Sequence, residues 1–173
     1  MNHKGVHMKK LTISILAIVV LIGIDQVTKK IAENLLAGKG EVNVLNDYII
    51  LILARNRGGF LSFGKGVNDI IWMILFIIIP LIVLVGLSFY ILSKQKGNTF
   101  YLTVWVLVLS GGLGNIIDRI LYGSVIDFMN IGIGSLRTGI FNVADLYIVF
   151  FAAYIIIKYL VCLKKKESFF DLL

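Results

Sequence analysis

The sequence has one cysteine, two histidines and little charge, and each shortage closes a class of function. Cys162 has no second cysteine to pair with, so no internal disulfide framework is open to the chain. It ends an apolar run beside Leu163 and Lys164 and reads as a small apolar residue. His3 and His7 both lie at the N-terminus, so no histidine and cysteine set with metal-ligand spacing exists, and neither a metal nor another cofactor is expected. There is no Gly-x-Ser-x-Gly elbow, and Ser124 and Ser135 have no histidine near them to act as a base. Charged residues make up 16% of the chain, where a soluble domain carries about 25%. Pro/Gly/Ser-rich linkers, low-complexity runs and internal repeats are missing too. The 173 residues therefore read as one integral-membrane domain.

What is present is hydrocarbon: 58% of the residues are hydrophobic and the mean hydropathy is +0.93. Crossing about 30 Å of hydrocarbon takes about 20 helical residues. Four segments fit, at about 9–28, 70–92, 99–117 and 140–162. A signal peptide is the rival reading of the first. No small-x-small cleavage site follows it; Asp25-Gln26-Val27-Thr28-Lys29-Lys30 comes instead, so it is expected to stay as a span. Met8-Lys9-Lys10 itself reads as a natural start, with residues 1–7 as an addition ahead of it.

The net charge of +7 is not gathered into a nucleic-acid patch. Lys9 and Lys10, Lys94 and Lys96, and Lys164 to Lys166 flank the spans, and with four spans all three clusters fall on one side. The positive-inside rule makes that side cytoplasmic and puts both termini there. Lys158 can snorkel to the same boundary. Trp72 is expected in an outer aromatic belt, and Tyr101, Trp105 and Tyr159 in an inner one. Two regions, about 29–69 and 118–139, are left outside. Val42 to Leu45, Tyr48 to Leu53 and Ser124 to Phe128 have the length and β-branching of strands, and a glycine-rich turn follows at Gly132-Ile133-Gly134. The expected fold is four transmembrane helices with a small extracytoplasmic sheet, whose apolar face needs lipid, bundle or substrate to cover it.

The unusual polar groups gather on that outer side. Asp25 and Lys29 are four apart on one helical face, which by itself describes an ordinary ion pair. Arg55-Asn56-Arg57-Gly58 follows an apolar strand and by itself describes a turn. Ser110 and Gly114 form a small-xxx-small pair suited to close helix packing. That does not account for Asn115, Asp118 and Arg119, which are three and four apart. Asp127 follows, then Asn142 and Asp145, read as sharing one face of the last span. A carboxylate in hydrocarbon costs about 2.5 kcal/mol or more, so two of them call for a use. If Asp127 and Asp145 meet, one holds a proton while the other stays charged, and the pair suits amide hydrolysis. A transporter using the same acids as a proton relay fits periodicity and composition equally well. Transporters, however, place such groups at mid-membrane, whereas these cluster at one boundary.

At these residues the chain resembles the bacterial type II, or lipoprotein, signal peptidases. The motifs are Asp25-Gln26-Val27-Thr28-Lys29, Asn56-Arg57-Gly58, Gly111-Gly112-Leu113-Gly114-Asn115-Ile116-Ile117-Asp118-Arg119, Val125-Ile126-Asp127-Phe128 and Phe141-Asn142-Val143-Ala144-Asp145. The resemblance runs from Met8 to Cys162 and implies a four-helix aspartic endopeptidase of the inner membrane with an extracytoplasmic β-cradle. It implies Asp127 and Asp145 as the catalytic dyad. Asp25, Lys29, Asn56, Asn115, Arg119 and Asn142 are implied to shape the site or hold substrate, with Asp118, Gly58 and Gly114 in support. The implied partner is a prolipoprotein whose cysteine already carries diacylglycerol, cut just before that cysteine by a monomer surrounded by membrane lipid near the outer leaflet. One departure marks a divergent or paralogous branch: Gly59-Phe60-Leu61 stands where the family commonly has alanines and an aromatic. A non-catalytic lipoprotein-binding paralogue is the alternative this departure suggests.

Overall fold

The computed structural model describes residues 3–58, 66–94 and 98–165. Four helices there are long and apolar enough to cross a membrane: α1 (His3–Leu36), α2 (Asp69–Lys94), α3 (Thr99–Tyr122) and α4 (Val143–Lys165). Between α1 and α2 lie strands β1 (Val42–Val44) and β2 (Ile49–Asn56); between α3 and α4 lie β3 (Val125–Ile133) and β4 (Leu136–Arg137). The strands join in the order β1-β2-β3-β4, every pair antiparallel. The chain is thus a multi-pass membrane protein of four apolar helices and one small sheet.

The helix ends differ from the expected spans for local reasons. α1 runs eight residues past Thr28 and stops only at Leu36, where Gly38 takes φ +71°. Its charged residues do not end it, because Asp25 and Lys29 are paired inside protein rather than exposed to lipid. At about 1.5 Å per residue, α1 is far longer than the bilayer is thick. Its outer part packs on the sheet: Ala32 and Leu36 meet Phe128, with Val42, Leu51, Leu53, Met129 and Val143 around them. The bundle itself therefore covers the apolar sheet face. α3 extends to Tyr122 and closes on Gly123 at φ +67°, whose N–H reaches Arg119 O. In α2 a wide turn at Ile74–Ile78 precedes Pro80, with Ile79 N–H bonded to Ile74 O five residues back. Proline has no N–H to give and its ring crowds the carbonyl four residues back, so the ladder widens there instead of breaking.

α3 is the central helix, packed against α1, α2 and α4. Its glycines make that possible. A Cβ at Gly114 would lie 2.7 Å from Asp25 Oδ2, and one at Gly111 2.7 Å from Ala144 O. Small residues let helix backbones close up where lipid supplies no hydrophobic drive. At the other end of the bundle Ile18, Ile91, Phe100, Tyr101, Leu102, Val104 and Trp105 form the core. Trp105 Nε1 donates to Ser88 Oγ at 2.9 Å. Tyr101 and Trp105 are therefore bundle interior, not an aromatic belt, and Trp72 is buried as well. Tyr159 stays exposed, while Lys158 lies over the Tyr154 ring.

The sheet is more extensive than its sequence pattern indicates. β2 continues through Arg55 and Asn56, so Asn56 ends a strand instead of sitting in a turn. A register shift between Leu51 and Ala54 then brings Ala54 opposite Asp127 and Asn56 opposite Val125. β3 runs through Gly132 and Ile133, and the turn falls at Gly134, with φ +55°.

Candidate active site

Two backbone features bring the outlying acids together. Phe128 N and Met129 N both donate to Phe141 O, and Phe141 N returns to Met129 O. This bridge ties the middle of β3 to Phe141, two residues ahead of α4. The second feature is the start of α4. Asn142 was expected on a helical face beside Asp145, but it lies ahead of the helix as its N-cap. Its Oδ1 accepts Asp145 N at 3.1 Å, and Asp145 Oδ2 accepts Asn142 N at 3.1 Å. This is a reciprocal capping box, satisfying two backbone donors that a helix start leaves open.

Asp127 and Asp145 then share a pair of amides. Asn142 Nδ2 donates to Asp127 Oδ1 at 2.7 Å and to Asn115 Oδ1 at 3.0 Å. Asn115 Nδ2 donates to Asp145 Oδ1 at 2.8 Å. Asn56 Nδ2 holds the other oxygen of Asp127 at 3.1 Å. Asp127 and Asn142 are buried, while Asp145, Asn115 and Asn56 are half-buried. Burial, reinforced by the charge of Asp145, pushes Asp127 up to about 6, against the amide hydrogen bonds and the charge of Lys29. Asp127 is thus set to hold its proton above the ordinary carboxylate range.

Behind this pair is a second cluster. Lys29 Nζ lies 2.8 Å from Asp25 Oδ2 and 2.9 Å from Asp118 Oδ2, and donates to Asn115 Oδ1 at 3.1 Å. Asp25, Lys29 and Asp118 are all but fully buried. Asp25 and Lys29, implied to shape the site or hold substrate, are enclosed by the bundle. Asp118 is enclosed likewise, in keeping with a supporting place. Gly114, the close-approach glycine, gives its carbonyl to Gln26 and Lys29.

The edge of the site is a clamp on the chain after β2. Asn56 Oδ1 accepts Gly58 N at 3.0 Å in a side-chain turn. Arg119 donates to Gly58 O at 3.2 Å and lies over the Phe76 ring. Trp72 Nε1 donates to Arg57 O, and Arg57 pairs with Asp69. Arg119 Nε is buried with no partner among the described residues. Arg119 also walls a groove of about 900 Å³ that runs past Trp72, Met73, Ile77, Ile78 and Tyr122. The Gly59-Phe60-Leu61 departure lies outside the described residues.

The structure thus brings Asn56, Asn115, Asn142, Asp127 and Asp145 into one centre and sets Asp25, Lys29 and Asp118 behind it. Sequence reasoning named none of Gln26, Phe141, Trp72 and Phe76 as a site residue. Gln26 was within reach, since it is three residues from Lys29 on the same helical turn. The other three act through strand pairing and helix packing that no local pattern announces. Among the described residues, no group of three His, Cys, Asp or Glu side chains is placed to hold a metal ion.

Fold and site together define a membrane protein with a paired-carboxylate centre at one end of its bundle. The sequence model of the family described as Signal peptidase (SPase) II matches residues 17–161. A lipoprotein signal peptidase of Staphylococcus haemolyticus is 34% identical over 160 residues, covering 91% of this chain and 96% of that protein. One from Clostridioides difficile is 35% identical over 135 residues, 78% of this chain and 86% of that one. A crystal structure described as a bacterial membrane enzyme, solved by the in meso method at 2.3 Å resolution, matches with a TM-score of 0.77. It is 30% identical to this chain and covers 91% of it, with 93% of that structure matched. The chain belongs to the signal peptidase II family and is a membrane peptidase.

Proposed function

We propose that the chain is an aspartic endopeptidase that removes the signal peptide from diacylglyceryl-modified prolipoproteins, with Asp127 and Asp145 as its catalytic dyad. The observation that carries this reading is the shared amide pair. Asn115 and Asn142 hold one carboxylate each and bond to one another, so the two acids form one unit. Family membership supports the peptidase chemistry, and the relatives' descriptions support a lipoprotein substrate.

In this mechanism the active form carries its proton on Asp127, which burial pushes up to about 6, and Asp145 is charged. Asp145 takes a proton from a water as that water attacks the scissile carbonyl carbon, and Asp127 gives its proton to the carbonyl oxygen. The tetrahedral intermediate collapses as Asp145 protonates the departing nitrogen of the modified cysteine. Asp127 recovers a proton from the intermediate as the carbonyl re-forms, so both acids return to their starting states. Arg119, whose Nε has no partner among the described residues and which lies between dyad and groove, is suited to hold a substrate carbonyl. The groove, lined by Met73, Ile77 and Ile78 but edged by Arg55 and Arg57, suits a substrate sliding in from lipid.

The basic clusters support a chain in the bacterial inner membrane with both termini cytoplasmic and the dyad near the outer leaflet. The decisive experiment is cleavage of a diacylglyceryl prolipoprotein by purified protein in detergent or liposomes. Asp127→Asn and Asp145→Asn are each expected to abolish product while remaining folded, and chelators are expected to leave turnover unchanged. Wild-type-like turnover by either folded variant would remove the dyad assignment.

A further inference from the structure

The two carboxylates behind the site are arranged in parallel. Asp118 Oδ2 accepts Ile126 N at 3.0 Å, and Ile126 immediately precedes Asp127. Asp25 Oδ1 accepts Ala144 N at 2.8 Å, and Ala144 immediately precedes Asp145. Each buried acid thus holds the backbone one residue ahead of one member of the proposed dyad. The acids are in turn tied to each other twice. Lys29 Nζ bridges their Oδ2 atoms at 2.8 and 2.9 Å. Gln26 Nε2 bridges Asp25 Oδ2 at 3.2 Å and Asp118 Oδ1 at 2.9 Å, and also reaches Gly114 O at 3.1 Å.

Lys29 has one more contact that matters to the dyad. It donates to Asn115 Oδ1, which also receives Asn142 Nδ2. With two donors on its oxygen, the Asn115 amide must turn its nitrogen toward Asp145. The cationic Lys29 therefore sets the amide that holds one dyad member, while its partner acids set the backbone of both.

We propose that Gln26 and Lys29 are positioning residues: they form a double tie between Asp25 and Asp118 that sets the separation and alignment of Asp127 and Asp145. The inference rests on the dyad reading above. Both residues act at one remove, since neither touches Asp127 or Asp145. The tie spans four elements, because Asp25 is on α1, Asp118 on α3 and the held N–H groups on β3 and α4. A change in it therefore moves the two acids relative to each other, not together.

Gln26 is the better test, because Lys29 still pairs with both buried acids when Gln26 is altered. A misplacement of about 1 Å at a reacting group costs up to about 100-fold in rate. Gln26→Ala is expected to lower kcat by about tenfold or more while KM changes little, because the substrate contacts stay. Lys29→Arg, which keeps the charge and alters the reach, is expected to do the same. Thr28→Val is the control: it removes a bond from Thr28 Oγ1 to Asp25 O within α1 and touches neither tie. It is expected to retain kcat even where its Tm falls as far as that of Gln26→Ala.

The second readout does not need turnover. Titration of the carboxyl groups by infrared spectroscopy follows the coupling of Asp127 to Asp145 on α4, in the field of Lys29 on α1 and of Asp118 and Arg119 on α3. In Gln26→Ala the midpoint assigned to the pair is expected to move, and in Thr28→Val to stay. A folded Gln26→Ala with unchanged kcat and unchanged titration would overturn the tie. So would a kcat loss matched by Thr28→Val at equal loss of Tm. If Asp127→Asn is inactive while Gln26→Ala is wild type, only the tie fails. If Asp127→Asn is active, the dyad reading fails and the titration alone decides whether the tie couples the two acids.

Discussion

Asp127 carries the sharpest conflict in the molecule. It is 3% exposed, lies near another carboxylate, and holds its proton up to about pH 6. The ordinary value is 3.8, so the unfolded chain gives up that proton first. Between about pH 4 and 6 rising pH therefore favours unfolding, and the stability present below that window is lost above it. Asparagine cannot ionise and escapes this loss. Asp127→Asn is expected to be more stable than the wild-type protein at pH 7.5, by up to about 3 kcal/mol, and no more stable at pH 4. Thermal unfolding at the two pH values measures both. Lys29 is the opposite case. Removing it leaves two buried acids without their shared cation, and breaking such a pair costs about 3–5 kcal/mol. Much of this was foreshadowed residue by residue: the acids and amides stood out because hydrocarbon makes them expensive. Their partners did not stand out, since Asp25 and Lys29 read as an ordinary i,i+4 pair until Asp118 joined them from another helix.

At the scale of elements, apolar runs and β-branched strings were readable because each is a local pattern. Ends were not, because they depend on what a helix meets. The start of α4 shows this: Asn142 reads as sharing a helical face with Asp145 inside a span and is the helix cap. The outer end of α1 shows it too, since the charges that suggested an exit are buried against α3. The glycines of α3 are set by the same packing. Gly114→Ala is expected to lower stability by about 1–3 kcal/mol, because its Cβ would press on Asp25 Oδ2. Gly86→Ala, with nothing within 4 Å of its Cβ, is expected to be neutral or slightly stabilising. Unfolding of the two variants in the same detergent separates packing from helix propensity.

For the whole molecule, the charge clusters make a prediction about sidedness. With the cytoplasmic termini proposed above, the sheet faces outward. In a Cys162→Ser background, Leu136→Cys at the exposed sheet tip is expected to react with an impermeant maleimide in intact spheroplasts. Gly5→Cys near the start of α1 is expected to react only after lysis. The reverse pattern would invert the topology. The four-helix bundle lies on one side of the site, and the groove past Trp72, Met73, Ile77 and Ile78 lies on the other.

The sequence by itself determined the four apolar helices, the small sheet and the set of residues from which a site could be built. Those follow from local quantities: the cost of charge in lipid, the period of a helix and the branching of strand residues. Tertiary structure alone decided which of those residues gather around Asp127 and Asp145 and which stand behind them. Asp127 and Asp145 lie eighteen positions apart on a strand and a helix, and nothing local states that the Met129–Phe141 bridge brings them to one pair of amides. Asp25 and Lys29 are enclosed because α3 closes on α1 through its glycines, and burial belongs to the packed bundle, not to any one segment.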